Sequence, residues 1–284
     1  MMRIAVLADI HANLPALEAV IEDIDRQGVD EVLVGGDLVG RGPQGSAVVR
    51  RISERGWRSV RGNHEDYLLS FCRSEVPASW LSTEEWAASR WMAAELDSDS
   101  AAYIDALPFS MTSALTDELR LVHGSPRSNC EGIGVWTPAE DLESHLSLVD
   151  ESVLICGHTH RTMERHLPLG LVVNVGSVGL PFNGDWRAQY AILTRLPDGW
   201  HVEFRQIPYD REAFLNAYES SGFLADGGVT ATLLRMEVSH ARPFLVPFMK
   251  WTTARDLDMS TAHIADFLDI YNPNRPLAEF FALL

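Results

Sequence analysis

Asp9 and His11 stand one residue apart, as do His158 and His160, and between these pairs the chain presents Asp37, Asn63, His64 and His123. Carboxylate, carboxamide and imidazole groups offer mixed oxygen and nitrogen ligands, which suit Mn, Fe, Ni, Co or Zn better than Ca or Mg. No cysteine belongs to these motifs, so a structural thiolate zinc site is a poor reading. Two metals held close together need a bridging group, and a carboxylate such as Asp37 has the two oxygens required. An isolated Asp-x-His or His-x-His serves as readily as a cap, a core hydrogen-bonded pair or polar surface. Five such sites, most of them placed after a strand, outweigh that reading.

The elements that must position these groups follow one pattern. Ile4 to Ala8 form an apolar run bounded by polar residues, as in a strand buried on both faces, and the run delivers Asp9 and His11 at its end. With the chain extended through Ile10, both side chains point to one side. Asn13 then caps a helix that has Pro15 in its first turn, Leu17, Val20, Ile21 and Ile24 along one face, and Gly28 at its end. Glu31-Val-Leu-Val-Gly-Gly-Asp37 repeats the sequence of strand, tight turn and carboxylate. A helix over 46–54 and a strand over 57–60 lead into Arg61-Gly-Asn-His-Glu65. Leu119-Arg-Leu-Val-His123 and Val153-Leu-Ile-Cys-Gly-His-Thr-His160 do the same twice more, with a helix over 138–148 between them. The alternation predicts an α/β fold with its polar groups at strand C-termini.

Residues 66–107 differ. Trp80, Trp86, Trp91 and Tyr103 at helical spacing, with caps at Ser82 and Thr83, predict a helical insert that either covers the site or packs on the sheet. Strands over 171–177, 189–196 and 200–207, joined by turns such as Pro197-Asp198-Gly199, read as a half-exposed second sheet. Helices follow over 211–220, 230–240 and 261–270, with no comparable polar signature from Gly222 onward. The expected organisation is a core over 1–210 containing the insert, and a mainly helical extension over 211–284 packed on the core or on a second subunit.

A chain of 284 residues with 46% apolar and 22% charged residues can bury a sizeable core. Forty acidic residues against 23 basic ones give a net charge of -17, which argues against stable binding to nucleic acid or anionic membranes. Lys250 is the only lysine, so arginine is the expected phosphate clamp. Cys72, Cys130 and Cys156 form no paired pattern and read as buried thiols in a reducing compartment, which predicts a cytoplasmic protein. Oligomeric state is left open.

The blocks Asp9-Ile-His11, Gly36-Asp37, Gly62-Asn-His-Glu65, His123 and Gly157-His-Thr-His160 occur in the order found in the calcineurin-like metallophosphoesterase superfamily. Over residues 3–207 the chain resembles its small bacterial phosphodiesterase-like branch. The resemblance implies a four-layer α-β-β-α sandwich of two mixed sheets flanked by helices. It implies one metal on Asp9, His11 and His160, a second on Asn63, His123 and His158, and Asp37 bridging them. It further implies hydrolysis of a small phosphodiester or phosphomonoester, a nucleotide among the candidates, by a metal-bridging hydroxide attacking in line with the leaving oxygen. His64 resembles the family histidine that protonates the leaving group or stabilises transition-state charge, and its alternative is a hydrogen-bonding support for the ligands. Arg41 lies in Gly36-Asp-Leu-Val-Gly-Arg-Gly42, which is similar to the phosphate-binding segment of protein phosphatases and dinucleoside tetraphosphatases. A protein Ser/Thr phosphatase or a dinucleoside-tetraphosphate hydrolase is therefore the alternative enzyme, and a non-catalytic metal-bound scaffold is the alternative of another class. Ala12 replaces a glycine of related segments, and Gly176 and Ser177 are expected to shape the rim.

Overall fold

The computed structural model describes residues 1–283. Its strands are β1 (Met2–Leu7), β2 (Glu31–Val34), β3 (Arg58–Ser59), β4 (Ser110–Thr112), β5 (Leu119–Val122), β6 (Val153–Cys156), β7 (Thr162–Leu167), β8 (Gly170–Val175), β9 (Ala188–Leu196) and β10 (Gly199–Ile207). Its helices are α1 (Leu14–Gln27), α2 (Gly45–Arg55), α3 (Asn63–Cys72), α4 (Ala87–Glu95), α5 (Ser98–Asp105), α6 (Ala139–Leu146), α7 (Arg211–Ser220), α8 (Phe223–Asp226), α9 (Gly228–His240), α10 (Leu245–Ala254), α11 (Ile264–Ile270) and α12 (Leu277–Phe281).

The strands form two mixed sheets, in the orders β10-β9-β1-β2-β3 and β4-β5-β6-β8-β7. Alternation along β1 explains the layers. Ile4, Val6 and Ala8 face Leu121, Ile155 and Val173 of the second sheet in one dry cluster. Ala5 and Leu7 face the opposite way, toward Leu17, Val20 and Ile21 of α1 and Val48 and Ile52 of α2. On the far side of the second sheet, Leu142 and Leu146 of α6 cover Leu154 and Val172. The result is an α/β sandwich of two sheets between helical layers, as the family resemblance implies.

Strands β1 and β2 run parallel, as do β5, β6 and β8, so their C-terminal ends gather at one edge of the sandwich. The strands over 171–207 depart from expectation. Only β8 joins the second sheet; the hairpin of β9 and β10 returns to the first, where β9 pairs antiparallel with β1. Short strands β4 and β7 and helices α10 and α12 were not anticipated. The cysteine expectation also needs correcting, since Cys156 alone is buried and Cys72 and Cys130 are exposed.

Local chemistry accounts for the α1 boundaries: the Asn13 side chain accepts from the Ala16 N–H at 3.1 Å, and Gly28 closes the helix at φ 59°. Asp23 ties this helix to the sheet, accepting from the Tyr190 hydroxyl at 2.6 Å and from Arg205 Nε at 2.7 Å. Burial alone would raise its carboxyl, but the Arg205 and Tyr190 hydrogen bonds hold it below its ordinary value. The ionised form is therefore favoured by folding, and its stabilisation is present above about pH 4 and lost as pH falls through the depressed folded value. Asp23→Asn should destabilise the chain at pH 7, with the gap between variant and parent narrowing toward pH 3 in urea titrations.

The insert and the C-terminal helices meet each other. Trp80 and Trp86 stack with centroids 3.8 Å apart, Trp91 packs on Phe223 of α8, and α9 lies against both α4 and the turn at Glu84–Trp86. Ser82 and Thr83 flank short turns here: Thr83 makes no side-chain capping bond, and Ser82 closes the preceding turn instead, its hydroxyl donating to the Ser79 carbonyl at 3.4 Å.

Candidate dinuclear metal centre

Each group named from the sequence lies just beyond a strand at the shared edge: Asp9 and His11 after β1, Asp37 after β2, Asn63 and His64 after β3, His123 after β5, and His158 and His160 after β6. The chain does not stay extended through Ile10. Asp9 and His11 adopt φ 56° and 51°, and Ala12, Asp37, Arg41, His158 and His160 also have positive φ. Left-handed backbone at non-glycine residues is strained, and its concentration at one edge marks a functional site. The turned backbone brings Asp9 and His11 together by a different route from the one expected. Ala12 at φ 55° keeps the conformation that a glycine would adopt without strain.

Two groups of ligand atoms result. In the first, Asp9 Oδ1, His11 Nε2 and His160 Nε2 lie 3.1 to 3.7 Å apart. In the second, Asn63 Oδ1, His123 Nε2 and His158 Nδ1 lie 2.9 to 3.3 Å apart. Ligands about 2.1 Å from one ion at tetrahedral or octahedral angles are separated by about 3.0 to 3.4 Å, close to both sets. Asp37 Oδ2 sits between the groups, 3.7 Å from His11 Nε2 and 3.3 Å from His123 Nε2. Its other oxygen accepts from the His64 backbone N–H at 2.8 Å, which fixes the carboxylate.

The imidazole tautomers point the same way. Nδ1 of His11, His123 and His160 donates to the carbonyls of Val39, Gly35 and Leu180, so in the neutral ring Nε2 is the nitrogen left with a lone pair to offer. His11 and His160 then face each other through two bare nitrogens 3.1 Å apart, beside Asp9 Oδ1, which is buried without a hydrogen-bond partner. A metal ion among the three atoms, or a proton shared between the imidazoles, relieves that arrangement. Burial drives His11 well below the ordinary imidazole value, with neighbouring His160 and His64 adding to the effect. At His123 burial again opposes the charge, but the Asp37 carboxylate, its hydrogen bond and Asp9 raise it to about 10, so a proton and a metal ion compete for the same Nε2.

Supporting loops explain why these residues converge. Gly157 lets the His158 N–H reach Asp9 Oδ2 at 2.9 Å; a Cβ at Gly157 would fall 2.5 Å from that oxygen. Ser177, expected at the rim, is instead fully buried and donates to the Asp9 carbonyl at 2.8 Å. Asn174 donates to the carbonyls of Gly157 and Ile133, tying the β6 loop to β8.

Glu65 has a role that the motifs left unassigned. Its buried carboxylate accepts from the backbone N–H groups of Gly62, Asp37, Leu38 and Val39 at 2.6 to 3.3 Å, so one side chain clamps both the Asp37 loop and the Asn63 loop. Burial and the nearby Asp37 push it up to about 7 against the pull of those donors. Gly62 at the helix cap with glutamate three residues later is the signal that would have found it.

His64 and Arg41 sit beside the two groups. Arg41 Nε donates to His64 Nε2 at 3.2 Å, and Arg41 Nη1 pairs with buried Glu237 of α9 at 2.9 Å. Arg41 Nη2 has no hydrogen bond among the described residues. Burial, helped by Arg41, lowers His64 to about 3, and its Nδ1 packs against Gly40, where φ is +79° and a Cβ would lie 2.4 Å away. Glu237, which also accepts from the N–H groups of Phe244 and Leu245, is a contribution of the C-terminal helices that no motif announced.

Comparison with known proteins agrees with this geometry. A solved metallophosphoesterase from Sphaerobacter thermophilus is 26% identical, with a TM-score of 0.68 over 84% of this chain and 99% of its own. A hypothetical protein from Pyrococcus horikoshii shares the fold, with a TM-score of 0.70 at 21% identity over 82% of this chain and 98% of its own. An uncharacterized protein from Methanocaldococcus jannaschii is 25% identical over 223 residues, 73% of this chain and 88% of that protein. The family model described as the calcineurin-like phosphoesterase superfamily domain matches residues 2–195, the span that holds both ligand groups, and the chain belongs to that superfamily.

Proposed function

We propose that the protein is a hydrolase of small phosphate esters that works with two transition metal ions. The observation that carries this reading is Asp37 Oδ2 poised between two three-atom ligand groups, each of the size that surrounds a single ion. In this assignment Asp9, His11 and His160 hold one ion, Asn63, His123 and His158 hold the other, and Asp37 serves both. Mn, Fe, Ni, Co and Zn all suit such ligands. When bound, the pair supplies charge to neutralise phosphoryl oxygens and activates water for in-line attack.

The chain's own residues do the rest. Carbonyl partners on Nδ1 keep three imidazoles in the ligating tautomer. Arg41, held at two nitrogens, presents Nη2 to a phosphoryl oxygen, and His64, which accepts from Arg41 Nε, acts here as a support that holds the guanidinium in place. The guanidinium is pre-oriented by Glu237, so little entropy is lost when phosphate arrives. Among the described residues no helix is long and apolar enough to cross a membrane. The three free thiols suit a reducing compartment such as the cytoplasm.

The test is hydrolysis of bis-p-nitrophenyl phosphate and p-nitrophenyl phosphate by protein reconstituted with each of the five metals. Metal-dependent turnover of either ester is expected, with chelation abolishing it. Arg41→Ala should lower kcat/KM about a hundredfold with two metals retained. A reconstituted protein that holds two metals and turns over neither ester would instead favour the scaffold reading.

A further inference from the structure

Beside Arg41, Asn63 and His64 opens a cavity of about 340 Å³, within the range that holds small ligands. One wall comes from the insert, through Tyr67, Trp86 and Met92; the opposite wall comes from the C-terminal helices and the segment after them, through Leu234, Leu245, Met249 and Met259. The polar groups in these walls are largely spent on one another. Ser89 and Tyr67 share a hydrogen bond at 2.6 Å, and the Thr230 hydroxyl donates to the Glu85 carbonyl. What remains is mainly an aromatic, leucine and methionine surface with one thiol, Cys130, one carboxylate, Glu85, and one cation, Arg41.

The geometry points to a leaving-group pocket: resting on the hydrolase reading, the substrate is an ester with a single phosphoryl centre whose alcohol half carries a flat, uncharged, largely apolar ring system. The phosphoryl group sits at Arg41 and the ligand groups, and the ring enters between Trp86 and the methionines. Thioether side chains adapt to a ring face, and an indole supplies stacking area. A polyphosphate chain is disfavoured, because the described residues lining the cavity offer no cation besides Arg41, which is already paired with Glu237, and Glu85 repels further anionic groups.

Phenyl phosphate and 2-naphthyl phosphate have leaving groups of similar acidity and differ mainly in the ring the pocket must bury. The metal-loaded protein is expected to show kcat/KM about tenfold higher for the naphthyl ester, the effect of burying one further fused ring. Met249 is 38% exposed, so Met249→Glu is compatible with folding, and it should cut that preference to about twofold or less. Independently of turnover, calorimetry should show 2-naphthylmethylphosphonate binding about tenfold tighter than benzylphosphonate. Equal affinities for the two phosphonates overturn the pocket, whatever the turnover. Tighter naphthyl binding, lost in Met249→Glu, with no hydrolysis of any ester, keeps the pocket and overturns the hydrolase reading.

Discussion

Asp37→Asn should lower metal-dependent kcat/KM at least about a thousandfold, a loss of about 4 kcal/mol of transition-state stabilisation. The substitution preserves shape. The amide oxygen can still accept from the His64 N–H, so the loop after β2 should hold, and any fall in melting temperature should track the loss of bound metal. What changes is the atom between His11 Nε2 and His123 Nε2, where an NH2 replaces a carboxylate oxygen. An amide nitrogen donates two protons and has no lone pair for a cation, so metal content should fall from two ions per chain to one or fewer. Full activity with two ions bound would show that Asp37 does not bridge.

Glu65→Ala should produce the largest loss of stability, about 3 to 5 kcal/mol, because four backbone N–H groups in two loops lose their acceptor at once in a site closed to water. A fall of roughly 10 °C or more in melting temperature follows. Activity should fall further than stability alone explains, since Asp37 and Asn63 sit on the loops that Glu65 joins. Glu65→Gln keeps the volume and one acceptor oxygen but turns an NH2 toward backbone donors, so its loss should be intermediate. If Glu65→Ala melts within a degree or two of the parent chain, the clamp has no energetic weight.

The ligands were legible because each follows a short apolar run that could only be a buried strand, and because such strands end at a common edge in an α/β sheet. Asp9, Asp37, His123 and His158 all fit that description. The conformation that presents them was not legible: residues such as Asp9 and His160 carry no glycine to announce a left-handed backbone. Sheet membership of β9 and β10 was hidden for a related reason. Their alternation shows that they are strands, whereas β1, the partner that ties β9 and so the hairpin to the first sheet, lies some 190 positions away in sequence. Glu237 illustrates the same limit at the site itself, since it meets Arg41 across 196 residues and no local spacing encodes the contact. Helix α10, apolar over most of its length, lacks the polar face that periodicity needs.

The most direct test is anomalous scattering from crystals of the protein loaded with Mn. The account predicts two peaks about 3.5 to 4 Å apart. One should lie among Asp9, His11 and His160, the other among Asn63, His123 and His158, with the Asp37 carboxylate touching both. A single peak, or ions that leave Asp37 uncoordinated, would contradict it.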